Sequence, residues 1–264
     1  MTLRRWVIGL CLGGLFAYAV VLGGLYFAQA SLIYPAPKQT APVPEGYRQV
    51  ELATTDGLKL AAVFSPPAPG RKTVVFFHGN GDGWSGASAA NRKILAAGYG
   101  VLLVEYRGYG ANPGKPGEAG FYADGRAALG WLQAQGIGTD QTVLVGNSIG
   151  SGTATELAKE LRPAGLAIVS GFTSLPDVVA EKVWWAPTRY LVRDQFDNAA
   201  KLGQVTAPVL LLHGTADTMT GPEHAHALAK ANPRARLVLV PGFGHELAYM
   251  DAAQVVLVDW LKGL

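Results

Sequence analysis

Residues 142–152 read TVLVGNSIGSG. A short apolar run, Thr142 to Val145, leads directly into Gly146-Asn147-Ser148-Ile149-Gly150, a G-x-S-x-G pattern. That spacing predicts a tight strand-to-helix turn with the serine at its apex. The flanking glycines remove Cβ atoms where strand and helix must approach closely. Ser148 Oγ then stands at the end of the strand. The backbone N–H of Ile149, at the start of the following helix, is free to donate to a developing oxyanion. In a chain with 34 glycines the same five residues also fit an ordinary turn. The pattern therefore needs partners: an acid, a base and a second donor, each after a strand, in the order serine, acid, histidine.

The surrounding sequence predicts an α/β fold. Tyr47 to Ala53 and Leu58 to Phe64 read as strands about Thr55-Asp56-Gly57, a hairpin signal. Thr73 to Phe77, Val101 to Glu105, Thr142 to Val145, Leu166 to Ser170, Val209 to Leu212 and Arg236 to Val240 read as further strands. Helical segments separate most of them: Asn91 to Ala97, Phe121 to Gln135 and Ser151 to Leu161, with Gln254 to Leu261 closing the chain. This alternation implies a mostly parallel central sheet with helices on both faces. Leu175 to Leu202 lacks a strand pattern and carries Trp184, Trp185, Pro187 and Tyr190, which predicts a helical insertion, or lid.

Trp6 to Ala28 is uncharged and almost wholly apolar. As a helix it would extend ~35 Å, enough to cross a bilayer. Ala28-Gln29-Ala30 resembles a signal-peptidase site, but the apolar run exceeds the ~7–15 residues of a signal peptide. An uncleaved N-terminal transmembrane helix is therefore expected. Arg4 and Arg5 on its short side place that side in the cytoplasm and the remainder outside it. The predicted organisation is an anchor over residues 1–30, a proline-rich linker or strapped-down extended segment over 31–46, and a catalytic domain over 47–264.

The acid and base fall where the elbow needs them. Asp217 follows the Val209 strand in His213-Gly214-Thr215-Ala216-Asp217, and His245 follows the last strand in Pro241-Gly242-Phe243-Gly244-His245. C-terminal strand ends of a parallel sheet share one edge, so Ser148, Asp217 and His245 are predicted to converge. Histidine takes the serine proton during attack, and the acid fixes the imidazole tautomer. After the Thr73 strand, His78-Gly79-Asn80 offers the second oxyanion donor, the backbone N–H of Asn80. Trp184 and Trp185 are the candidate substrate-pocket residues. Ser151, Asp194 and Asp197 are rivals that lie within a helix or beside the insertion. His78 and His213 are expected to stabilise turns. His224 and His226 are expected on a surface helix.

Composition removes other classes. A net charge of +3 without a long basic run argues against nucleic acid. The single cysteine, Cys11, forms no internal disulfide and builds no cysteine zinc site. Glu223 beside His224 and His226 is too few ligands for a metal. Arg107-Gly108-Tyr109-Gly110 lacks both a Walker ending and dinucleotide spacing. No cofactor and no metal are expected.

The segments YFAQASLIYPAP, FFHGNGDG, EYRGYG, VGNSIGSG, FDNAAKL, APVLLLHGTAD and VPGFGH together resemble the α/β-hydrolase superfamily. They are most similar to its membrane-anchored serine aminopeptidase-type branch, to which depalmitoylating hydrolases are related. The resemblance extends from Tyr26 onward and implies an α/β-hydrolase fold with a Ser-Asp-His triad. Two departures stand out: Asn112 where relatives often carry serine, and Met219-Thr220-Gly221-Pro222 where a Val-Pro pair is common. Both are expected to alter the pocket rim and leave the triad untouched. The function expected is a serine hydrolase cleaving acyl esters or thioesters of a small-molecule or lipid-like substrate. The alternatives are an aminopeptidase-type amidase, with Glu105, Glu118 or Asp177 holding a peptide amine, and a tethered binding protein without turnover.

Overall fold

Apolar strands alternating with amphipathic helices bury most surface when the strands pair in parallel and the helices cover both faces. A computed structural model describes residues 3–264 and has this architecture. Met1 and Thr2, the first residues of the expected anchor, lie outside the described residues. Helix α1 spans Leu3–Ile33, and the eight strands are β1 (Arg48–Ala53), β2 (Lys59–Ser65), β3 (Thr73–Phe77), β4 (Gly100–Val104), β5 (Thr142–Asn147), β6 (Gly165–Val169), β7 (Val209–Gly214) and β8 (Arg236–Val240). They form one sheet in the order β1-β2-β4-β3-β5-β6-β7-β8. The pairs β1–β2 and β2–β4 are antiparallel; all pairs from β4–β3 through β7–β8 are parallel.

Strands β3 to β7 are buried along their whole length. Period-two alternation sends their side chains to two cores. Val75, Phe77, Leu144 and Leu211 face one side, where α4 (Glu118–Ala134), α5 (Gly150–Leu161) and α9 (Pro222–Ala231) pack. Val74, Phe76, Val145 and Leu212 face the other, against α2 (Trp84–Ala90), α3 (Arg92–Ala96) and α10 (Asp251–Leu261). Helix α2 was not legible in the sequence: WSGASAA has no apolar period, and its place is fixed by Trp84, which is buried against the sheet. The expected insertion is present as α6 (Leu175–Lys182), α7 (Thr188–Leu191) and α8 (Asn198–Leu202).

The apolar run continues as helix through Ile33, five residues beyond Ala28, so residues 31–33 are helical and not linker. Its most apolar window has a mean hydropathy of 2.1, and none of that window is buried. After it the chain is strapped down. Tyr34 is buried and donates from Oη to Asp194 at 2.5 Å. Lys38 Nζ donates to the Gly108 carbonyl at 2.6 Å, and Gly110 N–H donates to the Pro37 carbonyl at 2.7 Å.

Candidate active site

The elbow forms where β5 meets α5. Ser148 has φ 51°, a left-handed conformation that a non-glycine residue holds only at a cost of ~1–3 kcal/mol. The two glycines are sterically required. A Cβ on Gly146 would lie 2.5 Å from the Gly150 carbonyl oxygen, and one on Gly150 would lie 2.1 Å from the carbonyl oxygen of Phe77. Both obstacles are backbone and cannot rotate away. Gly150→Ala should therefore destabilise the fold by at least ~3 kcal/mol, read as a lowered urea midpoint. An unchanged midpoint would contradict this packing.

The parallel register carries the other two groups to the same edge. His245 follows β8, and its Nε2 lies 2.9 Å from Ser148 Oγ. Its Nδ1 lies 2.8 Å from Asp217 Oδ2. Burial alone would raise the Asp217 pKa. The hydrogen bond from His245 and those from the Thr220 and Met219 backbone N–H groups outweigh it and hold the carboxyl at about 2. An ionised Asp217 places the proton on Nδ1 and leaves Nε2 to accept from serine.

Thr220 corrects one expectation. Its Oγ1 donates to the Ser170 carbonyl at 3.2 Å and lies 3.2 Å from Asp217 Oδ2 and 3.3 Å from His245 Nδ1. The departure at Met219-Thr220 therefore touches the triad directly. Asn112 is buried, accepts from Ala61 N–H and donates to the Glu105 carbonyl; it ties β2 to the loop after β4.

Among the described residues no protein acceptor takes the backbone N–H of Asn80 or of Ile149. The turn bearing Asn80 is well supported. Asn80 Nδ2 donates to the Ile33 carbonyl, and Tyr109 Oη donates to Asn80 Oδ1 at 2.6 Å. Beneath it, burial would lower the His78 pKa, but the Glu105 carboxylate 3.6 Å away outweighs this and raises it. His213 is buried, its Nε2 lies 2.7 Å from the Thr220 carbonyl, and desolvation lowers its pKa.

The rival residues have structural partners. Ser151 accepts from Asn198 at 3.0 Å, Asp194 holds Tyr34, and Asp197 caps α8 through Ala200 N–H. His224 corrects another expectation. It is buried, not on the surface, with Nδ1 against Thr173 and Nε2 2.9 Å from Glu181. Thr173 and Glu181 lie on other elements, so no local pattern could have revealed this. Trp184 is 83% exposed, and Trp185 sets its ring edge toward Tyr18 of α1. Neither lines the apolar cavity beside the insertion. No group of three or more His, Cys, Asp or Glu side chains among the described residues is placed to hold a metal ion.

A serine in a strained elbow, bonded to a histidine that is bonded to an ionised acid, defines a serine hydrolase working through an acyl-enzyme. Residues 74–194 match the family model described as "Alpha/beta hydrolase family", and residues 184–262 match one described as "TAP-like protein". An uncharacterized protein of Mycobacterium tuberculosis is 36% identical over 226 residues, covering 84% of this chain and 79% of that protein. The human alpha/beta hydrolase domain-containing protein 17B is 31% identical over 204 residues, covering 73% of this chain and 67% of that protein. The chain belongs to the alpha/beta hydrolase family. Its fold is also that of an esterase of Pyrococcus furiosus, with a TM-score of 0.68 at 19% identity over 86% of this chain and 94% of that one. The esterase domain of a Rhodothermus marinus protein gives a TM-score of 0.64 at 19% identity, covering 82% and 98%.

Proposed function

We propose that the chain cleaves acyl esters or thioesters at a membrane surface, with Ser148 as nucleophile, His245 as general base and acid, and Asp217 as its orienting partner. The observation that carries this is the continuous Ser148–His245–Asp217 hydrogen-bond line. Ser148 Oγ bonds to the acyl carbon as its proton passes to His245 Nε2. The bond to the leaving alcohol or thiol then breaks, and His245 returns the proton to it. Water, deprotonated by His245, attacks the acyl-enzyme, releases the carboxylic acid and restores Ser148. The N–H groups of Asn80 and Ile149 receive the oxyanion in both steps, each worth ~3 kcal/mol in the barrier.

Ester or thioester cleavage is favoured over aminopeptidase chemistry because the candidate amine-binding carboxylates are occupied. Glu105 accepts from Trp84 N–H. Glu118 accepts from the Gln195 and Phe196 N–H groups. Asp177 accepts from Thr173 Oγ1. Helix α1, uncharged from Trp6 to Ile33, supports an anchor that leaves the hydrolase unit, residues 47–264, outside the cytoplasm. This reading aligns the chain with the membrane-anchored branch to which depalmitoylating hydrolases are related.

A fluorophosphonate probe tests the chemistry: Ser148 should be the labelled residue. In parallel, kcat/KM for p-nitrophenyl esters should exceed that for aminoacyl p-nitroanilides. Faster anilide cleavage would restore the aminopeptidase reading, and absence of both activities and of labelling would favour a binding protein.

A further inference from the structure

An apolar cavity of about 270 Å³ lies between the last turns of α1 and the insertion. Leu25, Leu32 and Ile33 form one wall, and Val178, Val179 and Val183 the other. Among the described residues one charged side chain lines it, Lys182, whose ammonium donates to the Thr218 carbonyl at 3.0 Å. Scaling from an apolar cavity of ~150 Å³ that holds benzene, there is room for roughly ten carbons.

Both walls are fastened to loops that carry the reactive groups. The Ile33 carbonyl accepts from Asn80, and Asn80 follows Gly79, where a Cβ would lie 3.6 Å from Ser148 Cβ. Lys182 holds Thr218, the neighbour of Asp217. Each wall is thus one hydrogen bond from a loop of the site, Ile33 from the oxyanion turn and Lys182 from the acid loop.

Its membrane side is set by helix length. Thirty-one residues make a helix of ~46 Å, whereas a hydrocarbon core of ~30 Å needs ~20. The roughly ten residues left over include Leu25 to Ile33, which places the cavity at headgroup depth. Exposed aromatics, Trp184 and Tyr190, stand beside it. Such residues favour the membrane–water boundary.

We propose that this cavity holds the fatty acyl chain of a membrane-borne ester or thioester, so that the anchoring helix is itself one wall of the substrate site. The inference rests on the hydrolase reading above. An acyl chain leaving the bilayer reaches the cavity along α1 without crossing water, and its carbonyl end meets the triad.

The test uses the full chain in detergent micelles and the ratio of kcat/KM for p-nitrophenyl octanoate to that for p-nitrophenyl acetate. Leu25→Trp fills the cavity from the helix, and Val179→Trp fills it from the insertion. Each should lower the ratio at least about ten-fold, the scale of apolar-pocket discrimination. Val255→Trp adds the same ring on the exposed face of α10 and should leave the ratio at the wild-type value. A ratio within about two-fold of wild type in both cavity variants overturns the proposal. A fall in Val179→Trp alone overturns the helix's part in it. Leu25→Ala and Val179→Ala cover the case in which tryptophan prevents folding. They widen the cavity and should move the preferred chain beyond octanoate; an unmoved optimum overturns the proposal equally. Absence of wild-type acetate hydrolysis and of Ser148 labelling would instead sink the hydrolase reading itself.

Discussion

Ser148→Ala should reduce kcat/KM for p-nitrophenyl esters by about 10⁴- to 10⁶-fold and abolish fluorophosphonate labelling. The expectation follows from placement. Ser148 is the one serine at the apex of the elbow, and its Oγ bonds to His245. Ser151, three residues on, is fully buried and bonded to Asn198, so it cannot take over. The fold should survive, because among the described residues Ser148 Oγ bonds to no group besides His245. Thermal unfolding within a few degrees of wild type would confirm that the loss is chemical. Purified Ser148→Ala protein with ordinary ester turnover would remove the serine from the mechanism.

Asp217→Asn should cost up to ~10⁴-fold in kcat, because an amide no longer demands a proton on Nδ1 and the wrong tautomer can dominate. A second readout comes from linkage. The Asp217 pKa is lowered from 3.8 to about 2, so the unfolded chain takes up this proton before the folded one. Its contribution, about 2 kcal/mol, is complete above about pH 5 and is lost as pH falls through 3.8 to below about 2. The stability gap between wild type and Asp217→Asn in urea should therefore narrow between pH 5 and pH 2.5. A pH-independent gap, or an unchanged kcat, would show that the carboxylate does not hold the histidine as described.

Much of this arrangement was legible because the reactive residues follow buried strands. Val209 to Leu212 and Arg236 to Val240 were readable from their apolar runs, and Asp217 and His245 come immediately after them. Parallel pairing then leaves little freedom in where they meet. The residues that escaped reading depend on contacts between distant segments. His224 is buried only because Thr173 and Glu181, on other elements, pack against it. Helix α2 is held by Trp84 against the sheet rather than by its own pattern. Trp184 and Trp185 stand out in the sequence by aromatic content, and neither lines the apolar cavity beside the insertion. That cavity lies between Val178 and Val179 of α6 and Leu25, Leu32 and Ile33 of α1, a helix more than 140 residues away in the chain.

The fastening of residues 34–38 to the domain has a mechanical consequence. Tyr34 on Asp194, Lys38 on Gly108 and Pro37 on Gly110 leave almost no slack between α1 and the sheet. With α1 in a bilayer, the attachment is a stiff arm and not a leash. A leash lets a domain sweep a hemisphere of solution, whereas a stiff arm fixes height and tilt. In that setting Ser148 would be carried across the surface at one elevation, and its search for membrane-borne substrate would be two-dimensional. Turnover should then follow the surface density of substrate in the leaflet.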